Sequence, residues 1–459
     1  MNFVHGLALA FILFEGVIIQ CEAAGSDEER VEKASVVGIN AYLPNDIIEV
    51  ILYEAGLEAT KNAARAQMNI SRVVMTRIIE KRIVVIDPDD LFDGTQEYYQ
   101  DGDYYLEIGS YDRIIEMFQK FGKKVKRIHV IYDELYGDDR RYLNDYVIKP
   151  YVNKLTELRI KTLDDTGLWQ EILNPERQLH FPSVKKFDFY GTNTRDSFKL
   201  ESIFPNLEIF KFYGAIVDTN CLENVKNLKE LTLRTRSIAE QQFDHIFVNN
   251  KNLTKLALLM PYEMTTLRSI HIHLTKLKTL KLRDPGRGFL IRANDPVYTL
   301  ASVDSLDVIF GRNSELVGPL SFNMPNVTKI RLHGNRIDSD ISGFVSQFKN
   351  LKTLEVKVVH RYDVAQSIAQ LKNIKEFITT KFEMNLLSQL YTFFHNFDEK
   401  TFKLRTIKFL RYKSDEFNSY ETRMNQINIE LWKIGKNTWN LTCGVEMDSL
   451  SEYLMFECN

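Results

Sequence analysis

Leu277-Lys-Thr-Leu-Lys-Leu282, Val327-Thr-Lys-Ile-Arg-Leu332 and Leu351-Lys-Thr-Leu-Glu-Val356 are three copies of one pattern, L-x-x-L-x-L with aliphatic exchange. Further copies begin at Val184, Leu207, Leu228, Leu253 and Val303, and flanking copies at Val125, Leu155, Ile374 and Leu404. From Val184 to Ile374 successive anchors are 23, 21, 25, 24, 26, 24, 24 and 23 residues apart. A fixed period of this size marks a stacked repeat, because one such unit cannot bury its apolar face alone. Within each copy the last two apolar positions alternate on a strand and point inward, while the first packs at the turn that leads into it. Pro205-Asn206-Leu207 and Lys349-Asn350-Leu351 are suitable turns of that kind.

The period and pattern resemble the leucine-rich repeat. The resemblance implies an α/β solenoid, a curved parallel sheet with helices or irregular segments outside, over 121–412, with a C-terminal repeat or cap over 413–459. The family places Asn three residues beyond the last strand leucine. Here only Asn335 keeps it, and Thr192, Ala215, Arg236, Gly311 and Val359 stand at equivalent places. No regular side-chain ladder is expected at that turn.

In such a stack the strand positions between the leucines face the inner curve. Three positions per copy collect Arg127, Arg159, Lys161, Lys186, Lys211, Arg234, Lys255, Lys281, Arg283, Lys329, Arg331, Lys357 and Lys408. Against these 13 stand six acids: Glu157, Asp188, Glu230, Asp307, Glu355 and Glu376. The face is thus expected to be basic by about seven charges on a chain whose net charge is -3. That contrast predicts a protein ligand with an acidic surface. Tyr190 and Tyr213, beside Lys186 and Lys211, would serve as rigid anchors. The plain alternative is that the lysines merely keep the strands soluble. Nucleic acid is disfavoured, because the aromatics are few and no basic run is interleaved with them.

Ahead of the repeats, Leu43-Pro-Asn-Asp-Ile-Ile-Glu-Val-Ile-Leu52 opens a helix: Pro44 suits its first turn, and Ile47, Ile48, Ile51 and Leu52 recur on one face. The residues resemble an F-box, a small helical module here spanning 39–82. That resemblance implies docking on the adaptor Skp1 through Leu43, Pro44, Ile47, Ile48, Ile51 and Leu52. F-box and repeat together are similar to substrate receptors of SCF ubiquitin ligases. The alternative is a helical cap over the open apolar edge of the first repeat. Residues 24–38 form an acidic linker, and 83–120 are expected to connect the module to the solenoid.

The first 23 residues contain an apolar run from Leu7 to Phe14, followed by Ala23, Ala24 and Gly25. They read as a secretory signal, with a buried N-terminal helix as the other possibility. Export would make Asn69, Asn252, Asn326 and Asn440 acceptors of N-glycans, since each opens an Asn-x-Ser/Thr triplet. It would leave Cys221, Cys443 and Cys458, of which Cys443 and Cys458 could pair. A signal ahead of an F-box-like and repeat unit is also similar to secreted venom effectors of parasitoid wasps. A cytoplasmic chain is the alternative. No later run reaches the roughly 20 apolar residues needed to cross a bilayer.

The 459 residues, 44% hydrophobic and 26% charged, belong to a folded chain with a sizeable core. Four cysteines exclude a disulfide scaffold. His271 and His273 would share one side of a strand but lack a third ligand, so no metal site is expected. Gly286-Arg287-Gly288 lacks the third glycine of a dinucleotide loop, and neither Asp87-Pro-Asp-Asp nor Asp101-Gly-Asp103 fits a calcium loop. No cofactor is implied, and the chain is not expected to be an enzyme.

Overall fold

The computed structural model describes residues 79–87, 95–100, 103–109, 111–132, 144–162, 179–194, 199–216, 222–234, 238, 240–259, 264–283, 297–310, 322–334, 344–358, 373–379, 406–411, 439–446 and 451–458. The chain divides into two units, Met1–Arg82 and Ile83–Asn459. Of the first, only 79–82 are described, the end of a helix in which Arg82 N–H donates to Ile79 O at 3.3 Å. The F-box-like positions Leu43, Pro44, Ile47, Ile48, Ile51 and Leu52, the signal segment and Asn69 lie outside the described residues.

The second unit is α/β. Its elements run β1 (Ile83–Ile86), β2 (Thr95–Gln100), β3 (Asp103–Ile108), α1 (Tyr111–Phe121), β4 (Arg127–Tyr132), β5 (Glu157–Thr162), β6 (Lys186–Thr194), α2 (Leu200–Ile203), β7 (Ile209–Ile216), β8 (Glu230–Arg234), α3 (Glu240–Asn249), β9 (Lys255–Leu258) and α4 (Met264–His273). There follow β10 (Thr279–Arg283), β11 (Tyr298–Thr299), β12 (Ser305–Phe310), β13 (Phe322–Asn323), β14 (Lys329–Gly334), β15 (Thr353–Val358), β16 (Glu376–Thr379), β17 (Thr406–Arg411), β18 (Trp439–Glu446) and β19 (Ser451–Cys458). All but β11 and β13 join one 17-stranded sheet, open and curved. Every pairing from β3 through β1 and β4 to β17 is parallel, and from β4 on the strands follow chain order; β2 on β3, and the hairpin β18–β19 on β17, are antiparallel.

The buried pattern follows the sequence period. Leu277, Leu280 and Leu282 are fully buried, as are Val327, Ile330 and Leu332, and the same three places are buried in the copies at Val184, Leu207, Leu228, Leu253, Val303 and Leu351. Each such side chain contributes about 1.5–3 kcal/mol relative to exposure, and it does so only when the next copy is stacked on it. A repeated backbone bond locks each step. The carbonyl after each anchor accepts two successive N–H groups of the following copy: Lys185 O from Glu208 and Ile209 (2.8 and 2.9 Å), and Thr328 O from Lys352 and Thr353 (2.8 and 3.0 Å).

A side-chain ladder does exist, at a different turn from the one where the family pattern was sought. Asn206 Nδ2 donates to Pro182 O at 2.8 Å, Asn326 Nδ2 to Ala301 O at 2.7 Å and Asn350 Nδ2 to Pro325 O at 2.8 Å, each residue reaching back one copy from the position before the anchor. Asn227 holds the same position with φ 68°, a left-handed conformation that Asn tolerates. The two copies richest in aromatics replace leucine by Phe187, Phe189, Phe210 and Phe212; Phe187 stacks on Phe210 at 5.8 Å and Phe189 on Phe212 at 5.3 Å.

Two expectations change. The segment 83–120 does more than connect, because β1 sits between β3 and β4 and the parallel sheet begins at Ile83. All four residues of β1, Ile-Val-Val-Ile, are buried, the signature of a strand covered on both faces, which lacks the spaced pattern of the later copies. His271 and His273 lie on α4 rather than on a strand. His271 Nδ1 contacts Thr299 O at 2.7 Å, and His273 Nε2 contacts Asp244 Oδ1 at 3.1 Å beside the bond that Ser269 Oγ donates to the same oxygen at 2.6 Å. Both histidines tie helices to their neighbours. Among the described residues no helix is long and apolar enough to cross a membrane.

Candidate binding face

Alternation along each strand turns one set of side chains toward the core and the other toward the open face of the sheet. Because all the pairings are in register, the outward residues align into three rows across the strands. The first row carries Arg127, Glu157, Lys186, Ile209, Glu230, Lys255, Thr279, Ser305, Lys329, Thr353 and Glu376. The second carries His129, Arg159, Asp188, Lys211, Thr232, Ala257, Lys281, Asp307, Arg331, Glu355 and Ile378. In both rows, acids stand next to bases on several adjoining strands, with uncharged residues at others.

Cross-strand pairing engages several of the cations with those acids. Lys186 Nζ lies 2.8 Å from Glu157 Oε1, and Arg159 Nε 3.3 Å from Asp188 Oδ2, with Lys211 Nζ 4.0 Å from the same oxygen. Lys281 Nζ is 3.0 Å from Asp307 Oδ2, and His333 Nε2 is 3.0 Å from Asp307 Oδ1. Arg331 Nε donates to Glu355 Oε2 at 2.8 Å, and Lys329 Nζ stands 3.9 Å from it. Of the named cations, Lys186, Lys211, Lys281, Lys329 and Arg331 lie against buried carboxylates of the adjoining strands, acids already subtracted in the expected excess. Glu157, Asp188, Asp307 and Glu355 are all buried, so each needs a partner to remain ionised.

The carboxylates do not share one environment. Burial pushes Asp188 above the usual range, although Lys211, Lys186 and Arg159 pull against it. Neither of its oxygens makes a hydrogen bond among the described residues, so its cations reach it by charge alone. Burial also opposes ionisation of Asp307, but there His333 and Lys281 outweigh it and hold the carboxyl below its ordinary value. His129 is lowered to about 3 by burial and then by the Arg159 and Lys161 charges, which keeps it neutral at physiological pH.

The third row differs. It runs Ile131, Lys161, Tyr190, Tyr213, Arg234, then Leu259 one residue beyond β9, then Arg283, Ile309, His333 and Lys357. Leu259 stays on the ladder, donating its N–H to Leu233 O at 2.7 Å. No acid occupies this row. Arg234 and Arg283 are exposed and form no ion pair among the described residues. Tyr190 and Tyr213 stack with ring centroids 4.3 Å apart and planes within 4°. Burial raises both hydroxyls above the ordinary tyrosine value, and that of Tyr190 bonds to Tyr213.

Each tyrosine is followed by a glycine. A Cβ on Gly214 would fall on the carbonyl oxygen of Gly191, so the strands can approach there only because Gly214 carries no side chain, while a Cβ on Gly191 would meet the Phe189 ring. Of the expected glycan acceptors, Asn252 and Asn326 are exposed on the turns into β9 and β14; Asn252 Oδ1 accepts from Lys276 Nζ at 2.8 Å. Asn440 lies on β18. There Cys443 stands opposite Leu454, and Cys458 opposite Trp439, four residues along the ladder. At about 3.4 Å per residue this separates the two cysteines by about 14 Å, beyond disulfide reach, so the expected pairing does not suit this register.

Sequence reasoning missed His333, Leu259 and Ile309, and it treated the three outward positions as one face. The signal was present: aligning the copies on the third outward position alone shows a row without acids. Among the described residues, no group of three or more His, Cys, Asp or Glu side chains is arranged to hold a metal ion. A scan against protein-family models finds no match, and no curated protein matches the chain.

Proposed function

We propose that this chain is a non-enzymatic binding protein of leucine-rich-repeat type that captures an acidic protein surface on the open face of its sheet. One observation carries the reading: the acids of the face lie in its first two outward rows, whereas the third row has none, and its Arg234 and Arg283 are exposed in the same row as two stacked tyrosines. Exposed arginines without acidic neighbours attract an anionic partner at long range, and rigid aromatics beside them supply contact area at little entropic cost. In the same reading the F-box-like residues Leu43, Pro44, Ile47, Ile48, Ile51 and Leu52 couple the captured protein to Skp1, either in an SCF-type ligase or in a secreted effector that imitates one.

The test uses the full chain and fluorescein-labelled polyglutamate as the acidic probe. Binding should be measurable at low salt, weaken as salt rises, and disappear in Arg234→Glu/Arg283→Glu. Binding that survives the double reversal refutes the reading. Skp1 pulldown with Leu43→Ala/Ile47→Ala tests the coupling separately, and retention of Skp1 by that variant would exclude the F-box-like residues from it.

A further inference from the structure

The third row is sorted by polarity as well as by charge. From β7 onward it reads Tyr213, Arg234, Leu259, Arg283, Ile309, His333: apolar and nitrogen-bearing side chains take turns, one per strand. Leu259 and Ile309 are partly exposed on this face, Leu259 between the exposed Arg234 and Arg283, and Ile309 between Arg283 and the partly exposed His333. A row built only to attract anions gains nothing from two aliphatic side chains in its middle. They cost solubility and pair with no charge.

Strands are spaced about 4.8 Å apart, so neighbouring members of the row are about 4.8 Å apart and members of the same kind about 9.6 Å. An α-helix laid across the strands presents residues i, i+3 or i+4, and i+7 on one side, at about 4.5 to 6 Å and then about 10.5 Å along its axis. The two periods agree. An extended strand does not fit, since its same-side residues recur every 6.8 Å or so. From Tyr213 to His333 the row crosses five strand spacings, about 24 Å, the length of about sixteen helical residues.

We infer that the third row is a docking track for an α-helical segment of a partner protein on which acidic and aliphatic side chains alternate along one face. Its carboxylates meet Arg234 and Arg283, and its aliphatic side chains meet Tyr213, Leu259 and Ile309. This inference rests on the acidic-partner reading above and sharpens it. A sulfated glycan or a nucleic acid would satisfy the arginines but offers no apolar group at the intervening steps.

The experiment compares, on the full chain, two labelled peptides of identical composition that are equally helical by circular dichroism. One interleaves Glu and Leu along a single face; the other places them on opposite faces. The interleaved peptide should bind about tenfold more tightly, the worth of two partly buried aliphatic contacts. Leu259→Ser/Ile309→Ser should erase that preference while leaving polyglutamate binding unchanged, with Ile309→Thr as the milder substitution should the double variant misfold. Equal affinity for the two peptides overturns the helical track but leaves the acidic-partner reading to the polyglutamate result. Failure of polyglutamate and of both peptides overturns both.

Discussion

Lys281 on β10 and Asp307 on β12 face each other across the parallel ladder, with Nζ 3.0 Å from Oδ2, while Arg283, two residues further along the same strand, is exposed and forms no ion pair among the described residues. Two cations of one copy thus have different work. Lys281 holds a carboxylate that is 6% exposed; Arg283 faces outward.

Stability should separate the two. Lys281→Met leaves Asp307 with His333 as its remaining close partner and is expected to cost about 1–3 kcal/mol in urea unfolding, less than a fully buried pair because Lys281 is partly exposed. Arg283→Ala should stay within about 0.5 kcal/mol. Equal losses would mean that the rows do not differ in structural role.

The pH dependence should split by sign. Asp307 is held below its ordinary value, so its contribution is present above the unfolded carboxyl pKa near 4 and is lost as pH falls through the depressed folded value. Asp188 is raised, so its contribution is present below that pH and is lost as pH rises through the elevated folded value. Denaturation curves taken from acid to neutral pH should therefore show Asp188→Asn gaining on the natural chain as pH rises and Asp307→Asn losing ground. Parallel pH profiles would contradict the assignment.

Gly214→Ala should destabilise by about 1–3 kcal/mol, because the added methyl meets backbone rather than a side chain that can swing away. Thermal unfolding of the variant checks this; an unchanged midpoint would show that the strands can separate there without cost.

Asn250, which carried no signal in the repeat pattern, should matter more than the exposed ladder asparagines. It is 1% exposed, donates to Val225 O and Ile246 O at 2.8 Å each, and accepts from Leu228 N at 2.9 Å. Asn250→Ala strands buried backbone groups and is expected to cost about 2–3 kcal/mol, against about 0.5–1 kcal/mol for Asn350→Ala. Urea midpoints of the two variants measure the difference, and the reverse order would refute it.

From sequence alone, the period of Val184 through Ile374 determined that the chain stacks parallel strands and which residues point inward. That information is local: each strand's two-residue alternation and each anchor's spacing are written within one copy. The same reasoning could list Lys186, Lys211, Lys281, Lys329 and Arg331 as outward cations, yet it could not tell them from Arg234 and Arg283. What distinguishes them is the neighbour one strand away, more than twenty residues distant in the chain, and cross-strand register alone brings Glu157 to Lys186 or Glu355 to Arg331. The burial of β1 on both faces and the separation of Cys443 from Cys458 depend in the same way on which strand lies alongside. Net charge is the same counted along the chain or on the folded sheet, but which charges lie beside a counter-charge is decided by pairing, and pairing belongs to the tertiary structure.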